Sequence, residues 1–460
     1  MRRLLLLTVL ALGVAAPVPA HAAPIQVGLG TNPGVAIDDA GNAVVGWQVG
    51  NDYQVQVCVL AARARVCAAT VPVAFPGTGY GRSHANVMMP APGVVDVVVP
   101  RTNLPGAATF LARSTDGGRS FAPAVKIAEQ DFGQAVPTPD GRVALVGAGT
   151  FLNAGVVAAN GANGASLGAQ MGENLDGLYS DIAGAGPEIF AAGSYSTGTQ
   201  VYRLPSGGDP NNSASWQRLP DIPAGRQPEL TGGPAGLVAL LEPIGQTPRG
   251  LFAQRFVGPG WTPPVTINAY DLNNDFELTQ NSTGRLTAMW TEGTPYPINY
   301  MTSIDGGVLW SSQATVARLA GFPSGLEIAT AANGAGIAVA GQSIGENEPI
   351  RVARFTPRTA PLAQRRIGSA TVQARAVCSS IGRFAVVVEA ARNGARISPS
   401  AVLRRASFGR VRGARRTYAQ RFRAGYDASR SSLRVPVRLR ARSGRSRTLT
   451  LRARRCNATG

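Results

Sequence analysis

Glu292, Tyr296 and Tyr300 are the residues of this 460-residue chain best suited to covalent chemistry, because a nearby carboxylate can take up a tyrosine's proton and leave a phenolate nucleophile. Other catalytic sets are not expected. His84 is the one histidine beyond His21, and no Gly-x-Ser-x-Gly in a strand-turn-helix setting accompanies it, so a hydrolase triad is missing. Asp271, Asn273, Asp275 and Glu277 place oxygen ligands on alternate residues, as the start of a calcium loop does. Ser282, however, stands at the twelfth position, where a bidentate glutamate is required. No CxxC pair occurs for zinc, and phosphate-cradling glycine loops are absent. Neither a metal nor a cofactor is expected.

A second kind of polar motif occurs twice. Ser114, Asp116, Gly118 and Phe121 fit Ser-x-Asp-x-Gly-x-x-aromatic, and so do Ser303, Asp305, Gly307 and Trp310. This pattern builds a turn. The aspartate accepts hydrogen bonds from amides of its own loop, the glycine permits positive φ, and the aromatic ring anchors the hairpin.

These motifs sit inside a longer period. Short apolar runs bounded by Gly, Pro or Asp begin at Ala43, Val94, Val143, Ile189, Leu237, Leu286 and Ile337, a nearly constant spacing. Runs so short and so continuously apolar suit strands buried on both faces, here the inner strands of stacked sheets. A period of roughly 40 to 50 residues with about four strands each predicts an all-β chain folded as a six- or seven-bladed β-propeller. Asp116 follows the run begun at Val94 by nearly the same offset as Asp305 follows the run begun at Leu286, so both motifs fall at one place in the repeat. At that place the first repeat carries Cys58 and Cys67, and the fourth carries Gly207-Gly208-Asp209 before Trp216.

The two Asp boxes and the repeat spacing resemble the sialidase and BNR-repeat superfamily of β-propellers over residues 30 to 360. The resemblance implies Asp boxes on the outer rim, away from any active centre. Catalysis in that superfamily implies further residues: an Arg-Ile-Pro motif in the first blade, two more arginines for the substrate carboxylate, an aspartate acid/base and a tyrosine paired with a glutamate. Here no Arg-Ile-Pro occurs, the first arginine past the leader is Arg63, and the nearest imitation, Tyr202-Arg203-Leu204-Pro205, lies in the fourth repeat as an outer-strand segment. Loop composition alone accounts for Glu292, Tyr296 and Tyr300. The expected function is a non-catalytic binding or scaffolding protein recognising a glycan or protein ligand; the alternative is a divergent exo-α-sialidase-like glycoside hydrolase.

Residues 1–22 read as a signal peptide: Arg2 and Arg3, an apolar stretch from Leu4 to Ala16, and Ala20-His21-Ala22 as a cleavage site. The expected address is therefore secreted or cell-envelope, with no membrane span. Four cysteines in an oxidising compartment predict two disulfides, Cys58 with Cys67 and Cys378 with Cys456. The shorter loop contributes about 2.5 to 3 kcal/mol and the longer about 4.5 kcal/mol by loop-closure entropy.

The net charge of +18 is unevenly spread. From Arg365 onward there are 24 arginines against Glu389 and Asp427, a balance of +22 that leaves about −4 for the rest. That shift predicts a propeller over residues 23–364 and a basic unit over 365–460. In the basic unit Leu433, Val435, Val437 and Leu439 alternate with Arg434, Arg438 and Arg440, the period of a half-buried strand, so a small β-sandwich is expected. An arginine-rich face would attract anionic envelope polymers or acidic glycans; export argues against nucleic acid.

Overall fold

The computed structural model describes residues 24–454 except 51–53, 77–84, 102–106, 149–150, 161–168, 173–174, 246–249, 269–271, 294–295, 344–347, 357–362, 381–382, 409–415, 421–422 and 428–431. The expected leader, His84 and Cys456 lie outside these residues, as does the side chain of Cys378.

Seven antiparallel sheets of four principal strands follow one another along the chain, each beginning with its innermost strand. The innermost strands are Thr31–Ile37, Asn86–Ala91, Gln134–Pro137, Leu175–Ala185, Gly225–Thr231, Leu272–Gln280 and Phe322–Thr330, in blades 1 to 7. Blade 7 takes its outermost strand from the start of the chain, Ile25–Leu29 pairing with Pro349–Phe355, and this closes the ring. The protein is an all-β propeller of seven blades.

The apolar runs are the second strand of each blade, not the innermost one as the sequence pattern suggests. In blade 3, Val143, Ala144, Leu145 and Val146 are at most 1% exposed. A second strand has a hydrogen-bonded neighbour on both edges and a blade against each face, so every side chain can be apolar. An innermost strand has a free edge toward the axis, whose amides need polar partners. Its sequence is correspondingly mixed, and its pairing register breaks at Thr31/Gly34, Arg226/Glu229, Leu272/Phe276 and Ser324/Glu327. Asn32, Gln227 and Gly325 take positive φ in three of these breaks.

Both Asp boxes occupy the turn between third and fourth strands. In blade 2, Ser114 Oγ donates to Asp116 Oδ1 at 2.7 Å, and the Arg119 and Ser120 amides donate to the same oxygen at 2.9 Å. In blade 6 the Leu309 amide donates to Asp305 Oδ1 at 2.9 Å, and the fully buried Trp310 indole donates to the Gly307 carbonyl at 3.0 Å. Gly118 and Gly307, at φ +88° and +85°, lie against the preceding blade: a Cβ on Gly118 would stand 3.2 Å from Val59, and one on Gly307 would stand 3.8 Å from Val238. The boxes are therefore wedges between blades. The disulfide Cys58–Cys67 closes the same turn in blade 1.

From Ala363 the chain forms two further sheets. One contains Ala363–Ile367, Ala370–Ser380, Arg383–Arg392, Arg423–Asp427 and Arg416–Gln420, with Ala395–Ile397 on the side; the other contains Leu403–Phe408, Ser432–Ala441 and Ser446–Arg454. They share one core, including Val372, Val386, Leu403, Val437 and Leu449, and so form a small sandwich. The first sheet's outer face docks on blades 5 and 6. There Arg375, 1% exposed, donates to Glu389 Oε2 at 2.6 Å and to the Thr266 carbonyl at 2.6 Å, and Gln373 donates to the Trp310 carbonyl.

Candidate functional site: the central channel

One residue of each innermost strand recurs at an equivalent position, set by its partner on the second strand. Gly34 pairs with Gly46, Asn86 with Val98, Gln134 with Val146, Asp181 with Ala192, Glu229 with Leu240, Glu277 with Met289 and Glu327 with Val339. These seven positions surround a cavity of about 150 Å³ on the axis. Blades 1 to 3 supply a glycine and two amides. Blades 4 to 7 supply four carboxylates.

The free strand edges explain why polar residues stand here. Asp181 accepts from the Leu230 amide of blade 5, and Asn86 Oδ1 accepts from the Ala135 amide of blade 3 at 3.3 Å, so each stitches its blade to the next. Gly34 has no such role: a Cβ there would stand 1.9 Å from the Ala85 carbonyl oxygen, where the second blade's backbone crosses.

Burial pushes the channel acids up, Asp181 to about 7 and Glu327 to about 8, while Glu229 and Glu277 rise well above the carboxylate range as their neighbours' charges add to the burial. Asp275, two residues before Glu277, also rises to about 7 through burial. At neutral pH the ring therefore holds protons and presents both donors and acceptors, as a polyol requires, and it offers no guanidinium to a carboxylate or phosphate. Among the described residues, no three His, Cys, Asp or Glu side chains converge closely enough to hold a metal ion.

The calcium-like spacing thus has another origin. Leu272–Gln280 is an extended innermost strand on which Glu277 lines the channel, while Asp275 lies in the register break between Leu272 and Phe276 and Asp271 lies outside the described residues. The acidic ring is visible in the sequence only once the repeat is aligned on strand pairing.

Glu292, Tyr296 and Tyr300 do not assemble into a pair. The Glu292 carboxylate, 1% exposed and raised to about 7 by burial, accepts from the Trp290 indole at 2.8 Å and from Gln313 Nε2 at 3.3 Å. Tyr300 packs on the opposite face of blade 6 in the cluster that joins blade 7, 5.2 Å from the Phe355 ring. Tyr296 stands edge-on to Phe322 at 5.8 Å. None of the three lines the channel cavity. Arg203 lies on a third strand, Gly198–Leu204, paired with Glu188.

No protein-family model matches the chain, and no curated protein matches it. Solved structures to which it is similar include TolB from Acinetobacter baumannii, at 11% identity over 67% of this chain and 79% of that one with a TM-score of 0.33. A mutant Aleuria aurantia lectin in complex with Fucalpha1-6GlcNAc is similar at 13% identity over 64% and 97%, with a TM-score of 0.40. A gluconolactonase from Xanthomonas campestris is similar at 11% identity over 74% and 99%, with a TM-score of 0.39. At this level of likeness the blade count and ring closure rest on the strand pairing itself.

Proposed function

We propose that the chain is an exported, non-catalytic propeller that binds or scaffolds, recognising a glycan or protein at or outside the cell envelope, with the sandwich that begins near Ala363 as its envelope-facing unit. The observation that carries this reading is the outer face of the three-stranded sheet. Arg405, Arg434, Arg438 and Arg440 are exposed there beside Ser446, Thr448 and Thr450, and its strands contain no acidic residue. The other sheet's outer face is covered by the propeller, so the arginines face outward. Guanidinium forks and hydroxyls suit the phosphates and carboxylates of anionic envelope polymers.

The channel argues against the sialidase-like alternative. A sialoside carboxylate calls for a cluster of arginines, and the ring holds carboxylates instead.

The test uses the whole mature chain, because truncation would strip the buried Arg375 face from blades 5 and 6. Arg434→Gln, Arg438→Gln and Arg440→Gln together are expected to abolish low-salt binding to isolated envelope preparations, and added salt should release the wild type. Binding by the triple variant equal to wild type would sink the retention reading. Turnover of a fluorogenic sialoside by the wild-type protein would overturn the non-catalytic one.

A further inference from the structure

Strand pairing fixes the outward positions of the three-stranded sheet as a lattice. Along the central strand, Ser432–Ala441, they are Arg434, Pro436, Arg438 and Arg440. On one side Arg405 stands opposite Arg440 and Ser407 opposite Arg438. On the other, Ser446, Thr448 and Thr450 stand opposite Arg440, Arg438 and Pro436. Val435, Val437 and Leu439 alternate with these residues into the core, and the central strand pairs with Ser446–Arg454 without a register break, so the arginines keep one face and one column. Two residues of strand span about 6.7 Å, the step from Arg438 to Arg440, and Arg434 continues the column beyond Pro436.

The lattice is short of negative charge where it most needs it. Arg405 and Arg440 are both exposed and are direct cross-strand neighbours, the placement in which like charges repel each other. The sheet's strands contain no acidic residue, and Glu389, the one glutamate beyond Arg365, is taken by Arg375 and Arg396 on the other sheet. An oxyanion seated between the two guanidinium groups removes the repulsion and gains charge-assisted hydrogen bonds. The hydroxyls in the next column offer donors and acceptors to uncharged OH groups. No aromatic side chain stands among these outward positions, so the surface has nothing on which to stack a base.

We infer that the sheet binds a linear polyol phosphodiester lying along Ser432–Ala441, with one phosphate between Arg405 and Arg440, the next on Arg438, and hydroxyls of the links on Ser446 and Thr448. This rests on the reading of the sheet as the envelope-facing surface and narrows its ligand. A chain of short polyol links joined by phosphates repeats its charge at close to the two-residue step of a strand. The rigid rings of a polyuronate set carboxylates at another interval and turn successive ones to different sides.

The probes are end-labelled glycerol phosphate and galacturonate oligomers of equal charge, titrated at low ionic strength against the whole mature chain and read by anisotropy. Wild type is expected to bind the phosphodiester at least about tenfold more tightly. Arg438→Ser with Ser407→Arg moves one guanidinium to the neighbouring strand at constant net charge, and Arg438→Thr with Thr448→Arg moves it the other way. Each pair is expected to weaken phosphodiester binding about tenfold, with an unchanged thermal midpoint, and to leave galacturonate binding as it was. Equal affinity of the wild type for the two oligomers, or unchanged phosphodiester binding by both swapped proteins, would overturn the inference and leave a general anion-binding face. Tighter binding of a single-stranded oligothymidylate would overturn it in favour of nucleic acid. Failure of the wild type to bind any of the three would remove the envelope reading itself, and this inference with it.

Discussion

The two Asp boxes are alike in sequence and unlike in environment. Asp116 is exposed, and hydrogen bonds from Ser120, Ser114 and the loop amides hold it well below the usual carboxylate range. Burial raises Asp305, because Val308 and Leu309 lie under Ala391 of the docked sandwich. Removing a partner costs more where water cannot replace it. Asp305→Ala is therefore expected to lower the unfolding free energy by about 2 to 3 kcal/mol and Asp116→Ala by less, compared by urea denaturation. Both motifs were legible because their function is local: each bonds within its own loop. The placing of Glu292 and the two tyrosines was not legible in this way: Glu292 ends the second strand of blade 6 and Tyr300 lies on its third, and the face each takes depends on where those strands begin and how they pair.

The innermost strands are the elements that make the channel, and they set its pH response. Asp181, Glu229, Glu277 and Glu327 face one another from blades 4 to 7, with Asp275 beside Glu277 and the uncharged Asn86 and Gln134 completing the wall. Their folded pKa values lie above those of the unfolded chain, so the native state binds more protons between about pH 4 and pH 8. The stabilisation these acids contribute is full below about pH 4 and is lost as pH rises through 7 to 8. Thermal midpoints by circular dichroism should follow that slope, and Glu327→Gln should flatten it; a midpoint that rises from pH 5 to pH 8 would contradict the assignment. The period of these strands was readable, but their place was not. The apolar runs stood out because second strands are buried on both faces, whereas the channel strands hide their regularity in bulges and polar edges.

At the scale of the molecule, the sandwich meets the ring where Arg375, held by Glu389 of its own sheet, donates to the Thr266 carbonyl of blade 5. Arg375 and Glu389 are each 1% exposed, and Arg396 also bonds to Glu389. Removing one partner strands the other charge without water, so Glu389→Ala is expected to cost about 3 to 5 kcal/mol, while Arg375→Met with Glu389→Met costs far less. Urea denaturation of the two variants separates these outcomes. Arg405, Arg434, Arg438 and Arg440 stand exposed on the other sheet, which is why charge counting foresaw a basic unit but not which arginines are surface and which are glue.

By itself the sequence determined the all-β class, a blade repeat of nearly constant length, the turns that the Asp boxes and Cys58–Cys67 build, and the alternation of the basic strands. Each of these depends on neighbours close along the chain. Only the tertiary structure decided the count of seven, because the closing strand Ile25–Leu29 precedes the first blade in sequence while its partner Pro349–Phe355 belongs to the last. It likewise decided the acidic ring, since that is made of residues that meet only when the blades close around an axis.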